Sequence, residues 1–423
     1  MEDFVLKGQI VDSLDQNRFR ILENGYLVVE RGLCRGAFRE LPERWKGLPL
    51  TDFGDRLIIP GMCDLHLHAS QYGFRGLGMD MELLDWLNTY TFPEEAKYRD
   101  LEYADRAYEG FVSELRRGTT TRASIFATIH RESTLHLMQK LEASGLKTLV
   151  GKVNMDRNSP DLLREPDVPT ALEETELWIQ ESIDRFTNTR PILTPRFIPS
   201  CTDELMAGLK ELQRKYGLPT QSHLSENYGE IAWVRELSPA SRFYGDAYER
   251  FGMFGGDHKC VMAHCVHSGE EELELIARNG VYIAHSPESN MNLASGVAPV
   301  SRYLELGLHV GLATDVAGGS SLCMLRAIAH AIQASKLRWR LKDEAVKPLT
   351  VEQAFWLATA GGGSFFGKVG RFQEGYEFDA VVLDDSSLVH PQPLDVRSRL
   401  ERALYLADDR NICGKFVAGR RLF

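Results

Sequence analysis

From residue 57 onward, short apolar runs alternate with stretches in which apolar residues recur at helical spacing. The runs have the length and the Gly or Pro boundaries of buried strands. Eight such runs are found, at 57–68, 119–126, 147–155, 191–197, 219–224, 260–266, 281–286 and 309–315. Because strand-then-helix units follow one another, we expect an α/β fold with a parallel (β/α)8 barrel. A doubly wound open sheet is the alternative, but it does not predict that polar residues from all parts of the chain converge.

Helix boundaries are indicated at two places between these strands. Thr202 is a typical first residue for a helix that carries a stripe of leucines, and Gly217 is a typical end. Farther along, Ser268 and Glu271 have the spacing of a capping box, in which each side chain bonds the other's backbone. That second helix is predicted to end at Gly280.

The two ends of the chain follow a different pattern. They contain short strands bounded by turn residues, such as GYLVVE at 25–30 and AVVL at 380–383. Neither end has enough apolar residues for a core of its own. We therefore predict two domains, a small β-sandwich formed by residues 1–56 and 372–423 and a catalytic barrel formed by residues 57–371.

The composition narrows the class of partner. The chain has 423 residues with a formal net charge of −11, which disfavours binding to nucleic acid or to an anionic membrane. Its seven cysteines form no CxxC pair, which favours reduced thiols and a cytoplasmic protein. The first residues lack the basic and apolar regions of a signal peptide. No apolar run reaches the ~18 residues that a membrane-spanning helix requires.

Histidines and an aspartate occur where the predicted barrel strands end. His66 and His68 lie one residue apart in PGMCDLHLHASQ, so both side chains point to the same face of a strand. His223, His264 and Asp315 follow the apolar runs of the fifth, sixth and eighth strands. The active site of such barrels lies at the carboxyl ends of the strands. The sequence therefore predicts a metal site there, and chance histidines on a solvated strand are the alternative.

The ligand types indicate which metal is bound. Imidazoles of His66, His68 and His223 with the carboxylate of Asp315 suit Zn²⁺, and Fe²⁺ or Mn²⁺ are alternatives. An open coordination position would hold water with a pKa of about 7. Glu226 lies three residues after His223, and a carboxylate beside such a water is the natural proton shuttle.

These residues resemble the motifs of the metal-dependent amidohydrolase superfamily. HxH in the first strand, H-x-x-E in the fifth, a histidine in the sixth and TD in the eighth are common to the whole superfamily. The blocks HLHASQY, LLDWLNTYTFPEE, TPRFIPSC, QSHLSEN and GLATDVAGG are similar, more specifically, to its guanine deaminases. EFDAVVLDD and YLADDRNI extend the similarity almost to the C-terminus.

The resemblance implies hydrolysis of guanine to xanthine and ammonia by a homodimer with one Zn²⁺ per chain. It implies that Glu226, His264 and Asp315 act on the reacting water. It also implies that the base is bound by residues of two specific blocks, namely Ser70, Gln71, Arg196 and Phe197. Three residues depart from what is common in the family and leave the pocket rim open to question: Cys265, where glycine is common, and Ser286 and Glu288.

The hydrogen-bonding groups of guanine are complementary to these side chains. Its O6 and N7 are acceptors on one edge, which the guanidinium fork of Arg196 matches, whereas adenine presents an amino donor in place of O6. Gln71 offers a donor and an acceptor, and Phe197 offers an aromatic face. Two alternatives remain. The first is a related hydrolase of another aminated or halogenated heterocycle, such as an 8-oxo- or thio-purine, a pterin or a triazine. The second is an inactive barrel kept for assembly.

Overall fold

A computed structural model describes residues 2–423 of the chain. The strands before the barrel are β1 (Phe4–Asp15), β2 (Arg18–Glu30), β3 (Leu33–Phe38) and β4 (Leu50–Pro60). Those of the barrel region are β5 (Met62–His68), β6 (Thr120–Phe126), β7 (Lys147–Gly151), β8 (Val153–Asn154), β9 (Thr189–Pro191), β10 (Thr194–Pro195), β11 (Thr220–Leu224), β12 (Cys260–His264), β13 (Tyr282–His285) and β14 (His309–Leu312). Near the end of the chain follow β15 (Ala380–Leu383), β16 (Ile412–Val417) and β17 (Arg420–Arg421).

The middle strands form the predicted parallel barrel. One parallel sheet has the order β5-β6-β7-β9 and another has the order β11-β12-β13-β14. A parallel bridge between Leu193 and Thr220 joins them on one side. On the other side, the backbone N–H of Asp315 donates to the carbonyl oxygen of His66 over 2.9 Å. The N–H of His68 likewise donates to the carbonyl oxygen of Val316 over 2.9 Å, so the ring of strands closes.

Helices alternate with the barrel strands and pack on them in one continuous apolar core. They are α1 (Leu83–Trp86), α2 (Phe92–Glu95), α3 (Leu101–Arg117), α4 (Arg131–Ser144), α5 (Val168–Ser182), α6 (Asp203–Tyr216), α7 (Tyr228–Leu237), α8 (Tyr244–Glu249), α9 (Glu270–Asn279), α10 (Pro287–Asn292), α11 (Val300–Glu305), α12 (Met324–Leu341), α13 (Val351–Trp356), α14 (Gly362–Phe366) and α15 (Val396–Leu406). Within the described residues, no helix is both long and apolar enough to cross a lipid bilayer.

Both predicted helix C-termini are confirmed, whereas only one of the two predicted N-terminal caps is. The hydroxyl of Thr202 accepts the N–H of Leu205 at the start of α6, and Gly217 ends that helix with a left-handed φ of 64°. Gly280 ends α9 as expected, with φ 63°. The predicted capping box is wrong, because α9 begins after Gly269 and Ser268 lies one residue too early to cap it.

Strands from both ends of the chain form one sheet beside the barrel, with the order β17-β16-β15-β4-β1-β2-β3 among the described residues. Its two edges share a core, in which Leu27 and Cys34 from one edge lie in the same apolar cluster as Phe416 from the other. The run predicted as one strand at 57–68 is two strands, since β4 ends in this sheet and β5 begins the barrel. The N–H of Gly61 between them donates to the carbonyl oxygen of Asp379 over 3.1 Å. The domain division at residue 56 stays a prediction, and β4 runs across it.

A buried ion pair connects the barrel to this terminal sheet. Arg122, near the start of β6, donates through Nε to Asp379 Oδ2 over 2.7 Å and through Nη2 to Oδ1 over 3.2 Å. The arginine side chain is 4% exposed and the aspartate side chain 0%, so each charge depends on the other. The same guanidinium reaches Glu377 at 2.6 Å. This contact holds the end of the barrel that lies opposite the carboxyl ends of the strands.

Candidate active site

The predicted metal ligands converge at the carboxyl ends of the barrel strands. The Nε2 atoms of His66 and His68 lie 3.2 Å apart, and that of His223 lies 3.3 Å from His68 Nε2. Asp315 Oδ1 lies 3.1 Å from His66 Nε2 and 3.5 Å from His68 Nε2. The four side chains come from three separate regions of the sequence and are buried or nearly so. Four ligand atoms at such spacings enclose a space that suits one cation.

The imidazoles are in the form that binds metal. Burial lowers the pKa of His66, and it lowers the pKa values of His68 and His223 well below the ordinary value. His223 Nδ1 lies 2.6 Å from the carbonyl oxygen of Arg196, an acceptor, so Nδ1 carries the proton and Nε2 has a free lone pair. Burial opposes ionisation of Asp315, but the His66 imidazole beside it holds its pKa below the usual range. Neutral nitrogens and a carboxylate therefore face one another.

Backbone turns at the strand ends direct these side chains inward. Ser225, His264, Cys265 and Asp315 all have φ between 47° and 75°, a region that non-glycine residues seldom occupy. Such strain gathers at functional sites, where the surrounding structure holds it in place. The conformation of Cys265 explains why a glycine is expected at its position, since glycine alone adopts positive φ without steric cost.

Glu226 lies beside the ligands without being one of them. Its Oε2 lies 3.4 Å from His264 Nε2, and its Oε1 accepts the hydroxyl of Ser295 over 3.0 Å. Burial raises its pKa to about 7, although the His264 imidazole opposes that shift. Proton transfer is most efficient for a group whose pKa is near the working pH. Glu226 is therefore a buried carboxylate next to the ligand cluster with a pKa near neutral.

A cavity opens in front of this cluster. Leu83, Trp86, Leu87 and Leu293 supply apolar surface, and Phe197 adds an aromatic ring. The polar lining comprises His68, Gln71, Arg196, His223, Glu226, Glu230, His264 and Asp315. Apolar walls with a few convergent polar groups are typical of sites for small planar ligands.

Gln71 and Arg196 are joined on one wall by a carboxylate that the sequence analysis did not identify, Glu95. Arg196 Nη1 donates to Glu95 Oε2 over 2.5 Å and Nη2 donates to Oε1 over 3.1 Å. Gln71 Nε2 donates to Glu95 Oε1 over 2.8 Å, and its Oε1 accepts the N–H of Ala317 over 3.1 Å. The three side chains are at most 4% exposed. Two of the four predicted base-binding residues, Gln71 and Arg196, thus belong to one hydrogen-bonded group.

The remaining predicted residues take different positions. Phe197 lines the cavity and meets the ring of Trp233 edge-on, 6.1 Å between centroids. Ser70 is buried, and its hydroxyl donates to the carbonyl oxygen of Ala127 over 2.7 Å, which leaves its contact with the base a prediction. Glu288 bonds the hydroxyl of Ser320, and His285 is fully buried with its pKa lowered by burial to about 3.

Comparison with known proteins agrees with this geometry. Residues 57–422 match the model of the amidohydrolase family. Guanine deaminase of Dictyostelium discoideum is 34% identical over 99% of this chain and 98% of its own length. The Escherichia coli K12 enzyme is 33% identical over 96% and 92%. A crystal structure of guanine deaminase from C. acetobutylicum with bound guanine aligns with a TM-score of 0.97, 48% identity and full coverage of both chains. The chain belongs to the guanine deaminases of the amidohydrolase family.

Two carboxylates of this site, Glu95 and Glu230, were missed by the sequence analysis because neither belongs to a metal-ligand motif. Glu95 lies 101 positions before Arg196. Glu230 accepts the N–H of Glu226 over 3.1 Å and the hydroxyl of Tyr244 over 2.7 Å. One signal was present for Glu95, since the pair Glu94-Glu95 ends the block LLDWLNTYTFPEE, which belongs to the resemblance itself.

Proposed function

We propose that this pocket hydrolyses guanine to xanthine and ammonia, with Glu226, His264 and Asp315 as catalytic residues. The observation that carries the proposal is the position of the Glu226 carboxylate. It lies 3.4 Å from His264 and lines the same cavity as the metal-ligand residues and the donors Gln71 and Arg196. A water at the ligand cluster and a base against that wall would both be within its reach.

The donor set fits a single Zn²⁺ held by His66, His68, His223 and Asp315. Three neutral imidazole nitrogens with one carboxylate match the nitrogen-rich, oxygen-completed sites that zinc prefers. When bound, the ion makes a water acidic enough to serve as nucleophile at neutral pH. We expect elemental analysis of freshly purified protein to find about one divalent ion per chain. Two ions per chain, or none with full activity, would contradict this assignment.

The protein groups have distinct tasks in the proposed reaction. The Asp315 carboxylate accepts a proton from the attacking water, and His264 holds the water by a hydrogen bond from Nε2. Glu226 delivers a proton to N3 of guanine as water adds at C2. It then takes the proton of the hydroxyl at C2 and carries it to the amino group, so that the C2–N bond breaks and ammonia leaves. The proton held by Asp315 returns to Glu226. Water and guanine are consumed, and xanthine and ammonia are formed, so the reaction is balanced.

Recognition of the base is assigned to the donors of Arg196 and Gln71, with Phe197 against the ring. A guanidinium has five N–H donors, and Glu95 occupies two of those of Arg196, which leaves three without a hydrogen bond to Glu95. A donor-rich wall suits O6 and N7 of guanine and disfavours the amino group of adenine. This separates guanine from adenine more sharply than the apolar surfaces do.

Ammonia release with guanine, adenine and cytosine as separate substrates tests the proposal. We expect rapid release from guanine only. The panel should also contain 8-oxo- and thio-purines, a pterin and a triazine, because these represent the alternative of a different heterocycle. A rate on any of them above that on guanine would overturn the substrate assignment.

We also infer a homodimer that works in the cytoplasm. Support for the dimer comes from membership of the guanine deaminases. Support for the compartment comes from the cysteines, which are all free among the described residues, five of them buried. Light scattering after size exclusion tests the dimer, and a species of 47.8 kDa at all concentrations would contradict it.

A further inference from the structure

The side chain of Glu95 has no place in the reaction steps, yet it contacts both residues assigned to the base. It is 3% exposed and bonds Arg196 through two hydrogen bonds and Gln71 through one. We propose that Glu95 is the positioning residue that determines specificity for an uncharged base. This inference rests on the proposed deamination of guanine.

The first effect of Glu95 is on orientation. Its Oε1 accepts from Gln71 Nε2 while the N–H of Ala317 donates to Gln71 Oε1. If the amide rotated by half a turn, oxygen would face oxygen and N–H would face N–H, so only one orientation is satisfied. One N–H and one lone pair of Gln71 therefore stay directed at the ligand before it binds. Fixing a rotamer in advance lowers the entropy lost on binding.

The same carboxylate fixes the arginine fork. It occupies the end of the guanidinium, while the ring of Phe92, on the same helix as Glu95, lies 5.2 Å from the guanidinium carbon. Held on two sides, Arg196 cannot rotate toward Glu226 or Asp315. Each of its remaining donors therefore keeps a fixed direction.

The second effect is on charge. Arg196 is nearly inaccessible to water, at 4% side-chain exposure, and Glu95 beside it is equally buried. Together they are neutral, so the wall donates hydrogen bonds without attracting anions strongly. Without the Glu95 charge, an uncompensated guanidinium would favour anionic ligands. Glu95 therefore makes a cationic side chain suitable for a neutral purine.

Glu95→Gln separates these effects from a merely structural role. We expect kcat/KM for guanine to fall about 10²-fold, because the fork and the amide are no longer held in place. We expect inhibition by urate, a monoanion at neutral pH, to become about tenfold stronger or more. Weaker use of a neutral purine with stronger binding of an anionic one is not expected from a loosened fold.

The chain offers a matched control in the preceding residue. Glu94 is also buried, at 7% exposure, and bonds Lys97 and Tyr103 rather than the pocket wall. Glu94→Gln should leave both guanine kcat/KM and urate inhibition at wild-type levels. Melting temperature and metal content are measured for every variant, so that a folding defect is recognised.

Glu95→Asp keeps the charge but withdraws the carboxylate by one methylene, and it serves if Glu95→Gln does not fold. Its guanine KM should rise while urate inhibition stays as in wild type. Urate inhibition that is unchanged or weaker in a folded Glu95→Gln protein would overturn the proposal. So would equal effects of the Glu94 and Glu95 substitutions. A wild-type protein inactive on guanine would instead refute the proposed function, and direct binding of urate and guanine would then test Glu95.

Discussion

Two buried arginine–carboxylate pairs lie at different ends of the barrel and are built differently. Arg122 has Asp379 and Glu377 as partners, and Asp379 also accepts the N–H of Ala418 over 2.7 Å. Arg196 has one carboxylate partner, Glu95, and lines a cavity. One pair joins two parts of the structure, whereas the other keeps part of its hydrogen-bonding capacity free. We therefore expect the pair of Arg122 to serve stability and the pair of Arg196 to serve the proposed recognition of the base.

This contrast agrees with the way function and stability are distributed between the two ends of such barrels. Residues at the carboxyl ends of the strands determine function, and those at the opposite end determine stability. Substitutions at the two ends should therefore differ in what they change. A substitution at the carboxyl ends of the strands should change activity and leave stability as it is. A substitution at the opposite end should change stability and leave activity as it is.

The largest effect is expected for Glu226→Gln at the catalytic end. Glutamine keeps the shape but cannot carry a proton between water, ring nitrogen and leaving amine. General acid–base steps contribute about 10²–10⁴-fold each, so kcat should fall by at least that factor. Metal content and melting temperature should stay as in wild type. Retention of more than about a tenth of wild-type kcat would contradict the role of Glu226.

Arg196→Lys should cause the second-largest effect, which is again a loss of activity. Lysine keeps the charge but lacks the planar fork, so it cannot bond Glu95 at two points and the base at the same time. We expect guanine kcat/KM to fall by about 10³-fold without a matching rise for adenine. Steady-state kinetics on both bases and a melting curve provide the measurement. A lower melting temperature with unchanged guanine kcat/KM would show that this pair is structural, like that of Arg122.

Arg122→Met should lower stability and leave activity unchanged, in contrast to Arg196→Lys. It removes the cation from a buried carboxylate, and breaking such a pair costs about 3–5 kcal/mol of unfolding free energy. Glu377 is 45% exposed and the N–H of Ala418 still bonds Asp379, so the lower end of that range is expected. Urea unfolding measures the loss, and kcat/KM of the folded fraction should be unchanged.

Arg18→Met is the matched control for Arg122→Met. Arg18 pairs with Asp15, but its side chain is 71% exposed. Exposed pairs add little to stability, so the free energy of unfolding should hardly change. Equal losses for the two arginines would show that burial of the Arg122 pair is not what matters.

The sequence predicted what depends on local pattern, and long-range contacts were not predictable from it. The eight barrel strands were found because an apolar run records burial directly, and His66 with His68 because strand alternation fixes their direction. Glu95 was not found because its role arises from partners that the fold brings together. The passage from β4 to β5 was read as one strand because residues 57–68 are all buried, although they belong to two sheets.

The smallest effect is expected at the starts of α6 and α9, where the sequence predicted a helix cap correctly at Thr202 and wrongly at Ser268. Thr202→Ala removes an observed cap of α6 and should lower the unfolding free energy by about 1 kcal/mol. Ser268→Ala changes a residue with the same predicted role, but Gly269 precedes the first residue of α9 and Ser268 caps nothing there. Its effect should stay within about 0.5 kcal/mol. Both residues lie outside the proposed catalytic and base-binding groups, so guanine kcat/KM should not change in either variant.

Urea unfolding of the Thr202→Ala and Ser268→Ala proteins side by side tests this difference in capping. An equal loss of unfolding free energy in both would mean that Ser268 caps α9 in solution after all.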